Sequence, residues 1–170
     1  YGLRTRLEKM VDFRDRYLPE LEIWLSEFGY DSSPFSIQAP NCQFYCDDCD
    51  SRICRDRLLE IQAQWLVRSF LEIAAAGVDR AMLFNMRDGS APGAGGLYQS
   101  SGLTTYRLDR FQNKQSWYYV SSLKQTLSGT YFDPSFEVVS DSVHIYRFVN
   151  DCDAPQKEVY AIWSPTSQAG

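Results

Sequence analysis

The chain has 170 residues, of which 44% are hydrophobic and 15% aromatic, and its formal net charge is −5. Nucleic acids and anionic membranes are bound by clustered lysines and arginines, whereas the 17 basic residues here are scattered, so both partners are disfavoured. No run of 18 or more apolar residues occurs, so no membrane insertion is predicted. The chain begins with Tyr1 and its helical pattern is already present at Leu3, so we interpret it as a piece of a longer protein.

Helices and short strands alternate before residue 128. Residues 2–17 place apolar side chains at helical spacing. Residues 21–29 alternate in polarity and end in glycine, which indicates a strand of about five residues. Further helices are predicted over 55–77 and 113–127, with a second strand in 80–88 between them. This order, with short apolar strands, predicts a parallel α/β architecture.

The residues from Ser135 onward follow a different pattern. Three short segments that alternate in polarity, with turn residues between them, predict antiparallel strands of a sheet that we expect to continue past Gly170. The composition changes just before this tail. We therefore predict two domains, residues 1–132 and residues 133–170.

Both strands predicted before residue 128 end in polar residues that precede long loops. Glu27 lies near the end of the first strand, and Asn85 and Arg87 follow the second. The loops 30–54 and 89–109 are longer than a strand-to-helix connection needs. Because such loops build the active sites of parallel α/β proteins, we expect function at this face. Considered alone, a carboxylate at a strand end is also typical of a strand that meets solvent.

Four segments carry a resemblance to a known family: "WLSEFGYD", "QAQWLVRSFLEIAAAGVDRAMLFNMRD", "GLYQSSGL" and "NKQSWYYVSSLKQTLSG". Together they resemble the last third of a (β/α)8-barrel glycoside hydrolase of clan A, over roughly Leu3 to Gly129. The resemblance implies the C-terminal portion of a TIM barrel, with about its last three helices and last two strands. The tail would then be the start of an antiparallel β-sandwich domain.

The resemblance also implies a catalytic role for Glu27. In this clan the seventh strand ends in the glutamate nucleophile, and Glu27 occupies that position. Substrate contacts or hydrogen-bond donors are implied around the two strand ends, although Asp88 and Gly89 also form an ordinary turn pair. The residues concerned are Tyr30, Asp31, Asn85, Arg87 and Asp88. Many members have a tryptophan at the end of the eighth strand, where this chain has Phe84, Asn85 and Met86.

The second catalytic carboxyl of the clan is missing from this sequence. It follows an asparagine at the end of the fourth strand, and no Asn-Glu pair occurs in the chain. The resemblance thus implies a retaining enzyme acting on a poly- or oligosaccharide, without a cofactor and exported to the cell surface or beyond, with these residues alone inactive. The rival interpretation is a barrel that binds glycan without cleaving it, or a scaffold part of a larger surface protein.

Four cysteines fall within the loop after the first strand. Cys42, Cys46, Cys49 and Cys54 are spaced C-x3-C-x2-C-x4-C. An even number of cysteines in the loop of an exported protein fits two disulfides. Four thiols could also hold a structural zinc ion, although zinc sites usually have two separated pairs, and free thiols are a third possibility.

Overall fold

The computed structural model describes residues 2–33, 52–91, 96–150 and 156–165. Helices and strands follow the predicted order, in which the first helices alternate with strands and the tail is all strand. They are α1 (Leu3–Tyr17), β1 (Trp24–Phe28), α2 (Arg52–Ala75), β2 (Arg80–Leu83), α3 (Gln115–Leu127), β3 (Tyr131–Val139), β4 (His144–Val149) and β5 (Glu158–Trp163), with a short 3-10 turn at Arg107–Asp109 before α3.

β1 and β2 form a parallel pair, as the apolar strands predicted. Trp24 pairs with Arg80 and Phe28 with Leu83. The helix α2 connects the two strands, because parallel strands cannot be joined by a tight turn. Phe28 packs edge-on against Phe70 of α2, with ring centres 4.8 Å apart.

The helix α2 begins at Arg52, three residues before the predicted start at Arg55. Cys54, Leu58 and Ile61 lie on one face of α2 at i, i+4 and i+7, and all three are buried. The buried face therefore extends one turn further toward the N-terminus than the apolar pattern indicated, and Cys54 belongs to the helix rather than to the loop. Across the described part of the chain, no helix is long and apolar enough to cross a membrane.

The tail forms an antiparallel sheet in the order β3-β4-β5. The prediction of antiparallel strands is confirmed, but β3 begins at Tyr131 rather than near Ser135. Its register against β4 shifts between Phe132 and Glu137. Pro134 lies inside this irregularity. A proline has no N–H for the ladder and is tolerated at a bulge, which is why the sequence pattern placed the strand start too late.

The chain folds into two compact units. The first comprises Tyr1–Ile23, Leu71–Asp79 and Leu123–Gly170, and the second comprises Trp24–Phe70 and Arg80–Ser122. These units do not follow the predicted division at residues 132 and 133, which falls inside β3. Compact units and sequence domains are different divisions of a chain, so two sequence domains stay a prediction.

Within the first unit, α1 contacts the tail sheet directly. Arg4 forms an ion pair with Glu137 of β3 and donates a hydrogen bond to the Tyr146 hydroxyl oxygen of β4, at 2.7 Å. Its guanidinium also lies 5.2 Å from the centre of the Tyr146 ring. Tyr146 and Phe148 are almost fully buried. A residue near the start of the chain therefore helps to hold the sheet near its end.

The first unit should lose stability in acid through Asp79. The Ile23 N–H and then Arg14 hold the pKa of this carboxyl below its ordinary value. A depressed pKa stabilises the fold above the unfolded-state pKa of about 4, and this contribution is lost as the pH falls through the lower folded-state value. We expect Asp79→Asn to flatten the decline in urea midpoint between pH 5 and pH 2. An unchanged slope would contradict this role.

Candidate functional site

Glu27 lies in β1, one residue before the strand ends, and its side chain is exposed. Among the residues that the structure describes, no hydrogen bond or ion pair engages its carboxylate. The register between β1 and β2 shifts between Leu25 and Phe28, so Glu27 lies within an irregular stretch of the pair. Irregular pairing re-aims side chains and is frequent next to active sites. The Glu27 carboxylate is therefore available to contact a ligand.

The end of β2 lies beside the end of β1. The Phe84 N–H donates a hydrogen bond to the Phe28 carbonyl oxygen at 2.9 Å, which continues the pairing past Leu83. A Cβ at Gly29 would collide with the Phe84 carbonyl oxygen, so only glycine allows the two exits to approach this closely. Carboxyl ends of neighbouring parallel strands share one edge of a sheet, and the two polar exits are accordingly at the same edge.

Arg87 and Asn85 follow the end of β2. Asn85 is half-buried, and Arg87 is exposed with its guanidinium 5.7 Å from the centre of the Phe111 ring. Phe111 is 43% exposed, and its backbone has a φ of 53°, in the left-handed region that few non-glycine residues adopt. Such backbone conformations cluster at functional sites. Phe111 was not predicted as a site residue, because nothing in the neighbouring sequence distinguishes it from a core aromatic residue.

Tyr30 and Asp31 follow Glu27 but are engaged elsewhere. The Tyr30 hydroxyl oxygen lies 2.6 Å from the Ser69 hydroxyl oxygen of α2. Its ring packs edge-on against Trp65, with centres 5.2 Å apart. The Tyr30 side chain therefore connects the loop after β1 to α2.

Asp31 is fully buried and acts as a clamp for the loop after β2. Its carboxylate accepts hydrogen bonds from the backbone N–H groups of Tyr98 and Ser100, both at 2.9 Å, and from the Ser100 hydroxyl at 3.2 Å. In return, Ser32 N–H donates to the Ser100 carbonyl oxygen at 3.2 Å. These bonds join the loops that leave the two strands.

Asp88 is also buried, in an ion pair with Lys114. The Lys114 Nζ lies 3.0 Å from Asp88 Oδ1 and donates to the Ser32 hydroxyl oxygen at 3.0 Å and to the Ser100 carbonyl oxygen at 2.8 Å. The Gly102 N–H donates to the same Asp88 oxygen at 2.9 Å. The lysine residue is only 4% exposed and Asp88 only 9%.

Burial opposes both charges of this pair. Burial raises the pKa of Asp88, against the opposing effects of the Lys114 ammonium and the Gly102 N–H. Burial lowers the pKa of Lys114, against the attraction of Asp88 and, at longer range, of Asp31. Three different acceptor groups surround Nζ, and only the ammonium form has three N–H groups to give them. We therefore interpret the pair as charged near neutral pH.

Gln62 of α2 completes the buried network. Its amide nitrogen donates to the carbonyl oxygens of Tyr30 at 2.7 Å and Ser100 at 3.1 Å, and its amide oxygen accepts from the Ser116 hydroxyl at 3.3 Å. Gln62 is fully buried. Buried polar groups are retained when they are satisfied in this way. A buried hydrogen-bond network therefore holds together the loops that carry the candidate site.

Metal ligation has no support within the described ranges. No group of three or more histidine, cysteine, aspartate or glutamate side chains there could hold a metal ion. Cys54 is disulfide-bonded, so it is not a free thiol. The other cysteines of the predicted cluster, Cys42, Cys46 and Cys49, lie outside the described residues, and the choice between two disulfides and a zinc site stays a prediction for them.

Lys114, Ser100 and Gln62 were not among the residues predicted from the sequence. Lysine is almost never buried unless it is paired, and Lys114 comes directly before α3 in a polar stretch that is typical of an exposed helix start. A single sequence gave no signal for these residues. The nearest indication was the length of the loop after β2, because a long loop must satisfy its own buried backbone groups.

Comparison with known proteins gives one structural likeness. A solved family 39 glycoside hydrolase from the gut symbiont Bacteroides cellulosilyticus WH2 matches with a TM-score of 0.64 and 16% sequence identity. The match covers 94% of this chain but 27% of that protein, so the chain spans about a quarter of its length. At this identity the likeness concerns the fold. No protein-family model matches the sequence, and no curated protein matches it either.

Proposed function

We propose that the chain is the part of a retaining glycoside hydrolase that carries the nucleophile, Glu27. The observation that carries the proposal is an exposed carboxylate at the irregular end of β1, beside the polar exit of β2. The shared fold with a solved glycoside hydrolase supports the same class of reaction. Carboxyl ends of barrel strands are where (β/α)8 enzymes place their catalytic residues.

The proposed reaction has two steps and needs two carboxyl groups about 5 to 5.5 Å apart. The Glu27 carboxylate attacks the anomeric carbon of a sugar, and the bond from that carbon to the glycosidic oxygen breaks. The second carboxyl group, supplied by a residue of the longer protein, gives its proton to the departing oxygen. The same group then takes a proton from water, which attacks the anomeric carbon and releases Glu27.

Asn85 and Arg87 are the proposed substrate contacts from this chain. Both side chains follow the strand beside Glu27, and both carry N–H groups that can donate to sugar hydroxyl groups. The Phe111 ring under the Arg87 guanidinium adds an apolar surface suited to the C–H face of a sugar ring. Asp31 and Asp88 are assigned a structural role instead, because their carboxylates are buried in loop contacts.

We also propose that the protein is exported, to the cell surface or to the surrounding medium. The disulfide bond of Cys54 supports this location, since disulfides persist in oxidising compartments.

Covalent trapping tests the nucleophile directly. We expect the longer protein that contains this chain to react with one member of a panel of 2-deoxy-2-fluoroglycosyl fluorides, because the 2-fluorine slows hydrolysis of the glycosyl-enzyme. Peptide mass spectrometry should then place a single sugar on the peptide that holds Glu27. A sugar on another carboxylate, with Glu27 unmodified, would refute the assignment.

A further inference from the structure

The ammonium of Lys114 is buried and surrounded by oxygen atoms within the second unit. Oxygen atoms from three residues surround it: the Ser100 carbonyl at 2.8 Å, the Ser32 hydroxyl at 3.0 Å, and the Asp88 carboxylate at 3.0 and 3.4 Å. Ser32 belongs to the loop after β1, whereas Asp88 and Ser100 belong to the loop after β2. The cation is therefore tied covalently to the start of α3 while its ligands belong to the two strand-exit loops.

This arrangement joins the loops next to the proposed substrate contacts. Asp88 directly follows Arg87, and Ser32 lies five residues after Glu27. The Ser100 carbonyl oxygen is shared, since it accepts hydrogen bonds from Lys114, from Gln62 and from the Ser32 N–H. If the ammonium were removed, the Asp88 carboxylate would remain buried without its cation, which is far more costly than exposing it. Either the segment after β2 would then move or Asp88 would take up a proton, and in both cases the contacts of Lys114 with Ser32 and Ser100 are lost.

From these contacts we propose that Lys114 is a positioning residue, an internal cation that fixes the β2 exit, and with it Asn85 and Arg87, relative to Glu27. It touches no substrate and acts through Asp88 and Ser32. The catalytic consequence rests on the proposed function. The structural part, in which the Lys114 ammonium holds the loops after β1 and β2 together and which we call the lock, does not. The two parts are therefore tested by separate measurements.

The lock is tested on the 170-residue chain by amide hydrogen exchange. In Lys114→Ala we expect the amides of residues 31–33 and 98–104 to exchange at least about tenfold faster, because breaking a buried ion pair costs several kcal/mol. Propylammonium ions added to this variant should slow the exchange again by restoring a cation near Asp88. The matched control is Lys124→Ala, which removes an exposed lysine from α3, the helix that begins directly after Lys114, and should leave both segments unchanged.

A milder variant keeps the test decisive if Lys114→Ala does not fold. Ser32→Ala removes one of the ammonium's acceptors without changing any charge, and it should accelerate exchange in 98–104 by a smaller factor. Unchanged exchange in both folded variants would overturn the lock. Faster exchange that propylammonium does not reverse would assign Lys114 a packing role and would also overturn the proposal.

The catalytic part is tested on the longer protein with its glycoside substrate. We expect Lys114→Ala to lower kcat at least about tenfold with a smaller change in KM, and propylammonium to restore part of kcat, a recovery that a merely structural loss would not give. Loosened loops with unchanged kcat would overturn the positioning role and leave Glu27 as nucleophile. A wild-type protein without hydrolase activity would refute the proposed function, while the exchange result would still decide the lock.

Discussion

Replacing Glu27 by glutamine in the proposed longer enzyme is expected to lower kcat for a glycoside by about a thousandfold or more. Loss of a catalytic nucleophile produces effects of this order, because the covalent step has no alternative partner. The fold should persist, since Glu27 is exposed and the structure gives it no partner within the described residues. Initial rates and circular dichroism of the purified variant provide the two measurements.

The matched control for this prediction is Glu20→Gln. Glu20 is exposed in the segment between α1 and β1, so the change removes one negative charge without touching the strand end. Its turnover should equal that of the wild type. Near-normal turnover in Glu27→Gln would place the nucleophile elsewhere. If the wild-type protein instead bound glycans without cleaving them, the chain would be interpreted as part of a glycan-binding barrel and not of an enzyme.

Substituting alanine for Gly102 is expected to destabilise the protein by about 3 kcal/mol. A Cβ at this position would overlap the backbone of Arg87 and Asp88, which cannot move aside as a flexible side chain can. The substitution would also displace the Gly102 N–H from Asp88 Oδ1, now 2.9 Å away. It would thereby weaken the buried hydrogen-bond network that joins the loops of the candidate site. Urea denaturation followed by tryptophan fluorescence measures the loss.

Gly89→Ala serves as the control for this overpacking argument. The nearest atom to a Cβ at Gly89 is the side-chain amide oxygen of Gln99, at 2.9 Å, and that side chain can rotate away. We expect a loss below about 1 kcal/mol. Equal losses in the two variants would mean that close backbone approach at Gly102 does not limit stability.

The buried network explains why part of the candidate site escaped sequence reasoning. The family resemblance implied Asp31 and Asp88 as substrate contacts because they follow the two strand ends. In the structure, Asp31 is hydrogen-bonded to Ser100, which is 69 residues away in the sequence, and Asp88 is hydrogen-bonded to Lys114, which is 26 residues away. Hydrogen bonds over such separations leave no local pattern in the chain.

The fold was more accessible to sequence reasoning than the site. Apolar periodicity and glycine stops predicted α1, β1, α2, β2 and α3. Burial of a helix face or of a strand depends on the spacing of apolar residues that are close together in the sequence. The first and last residues of the elements were predicted less accurately than their order. β3 begins at Tyr131, four residues before the predicted start, because a bulge accommodates Pro134. Proline is usually read as a residue that interrupts a strand, so the predicted start was placed after it.

The sequence by itself thus determined the alternation of helices and strands and the position of Glu27 at a strand end. Both follow from the spacing of residues that are close together in the chain. The tertiary structure alone decided which polar residues remain accessible. Asn85 and Arg87 stay near the surface, whereas Asp88 is buried against Lys114. Accessibility depends on what the loops pack against, and that is set by contacts between residues distant in sequence.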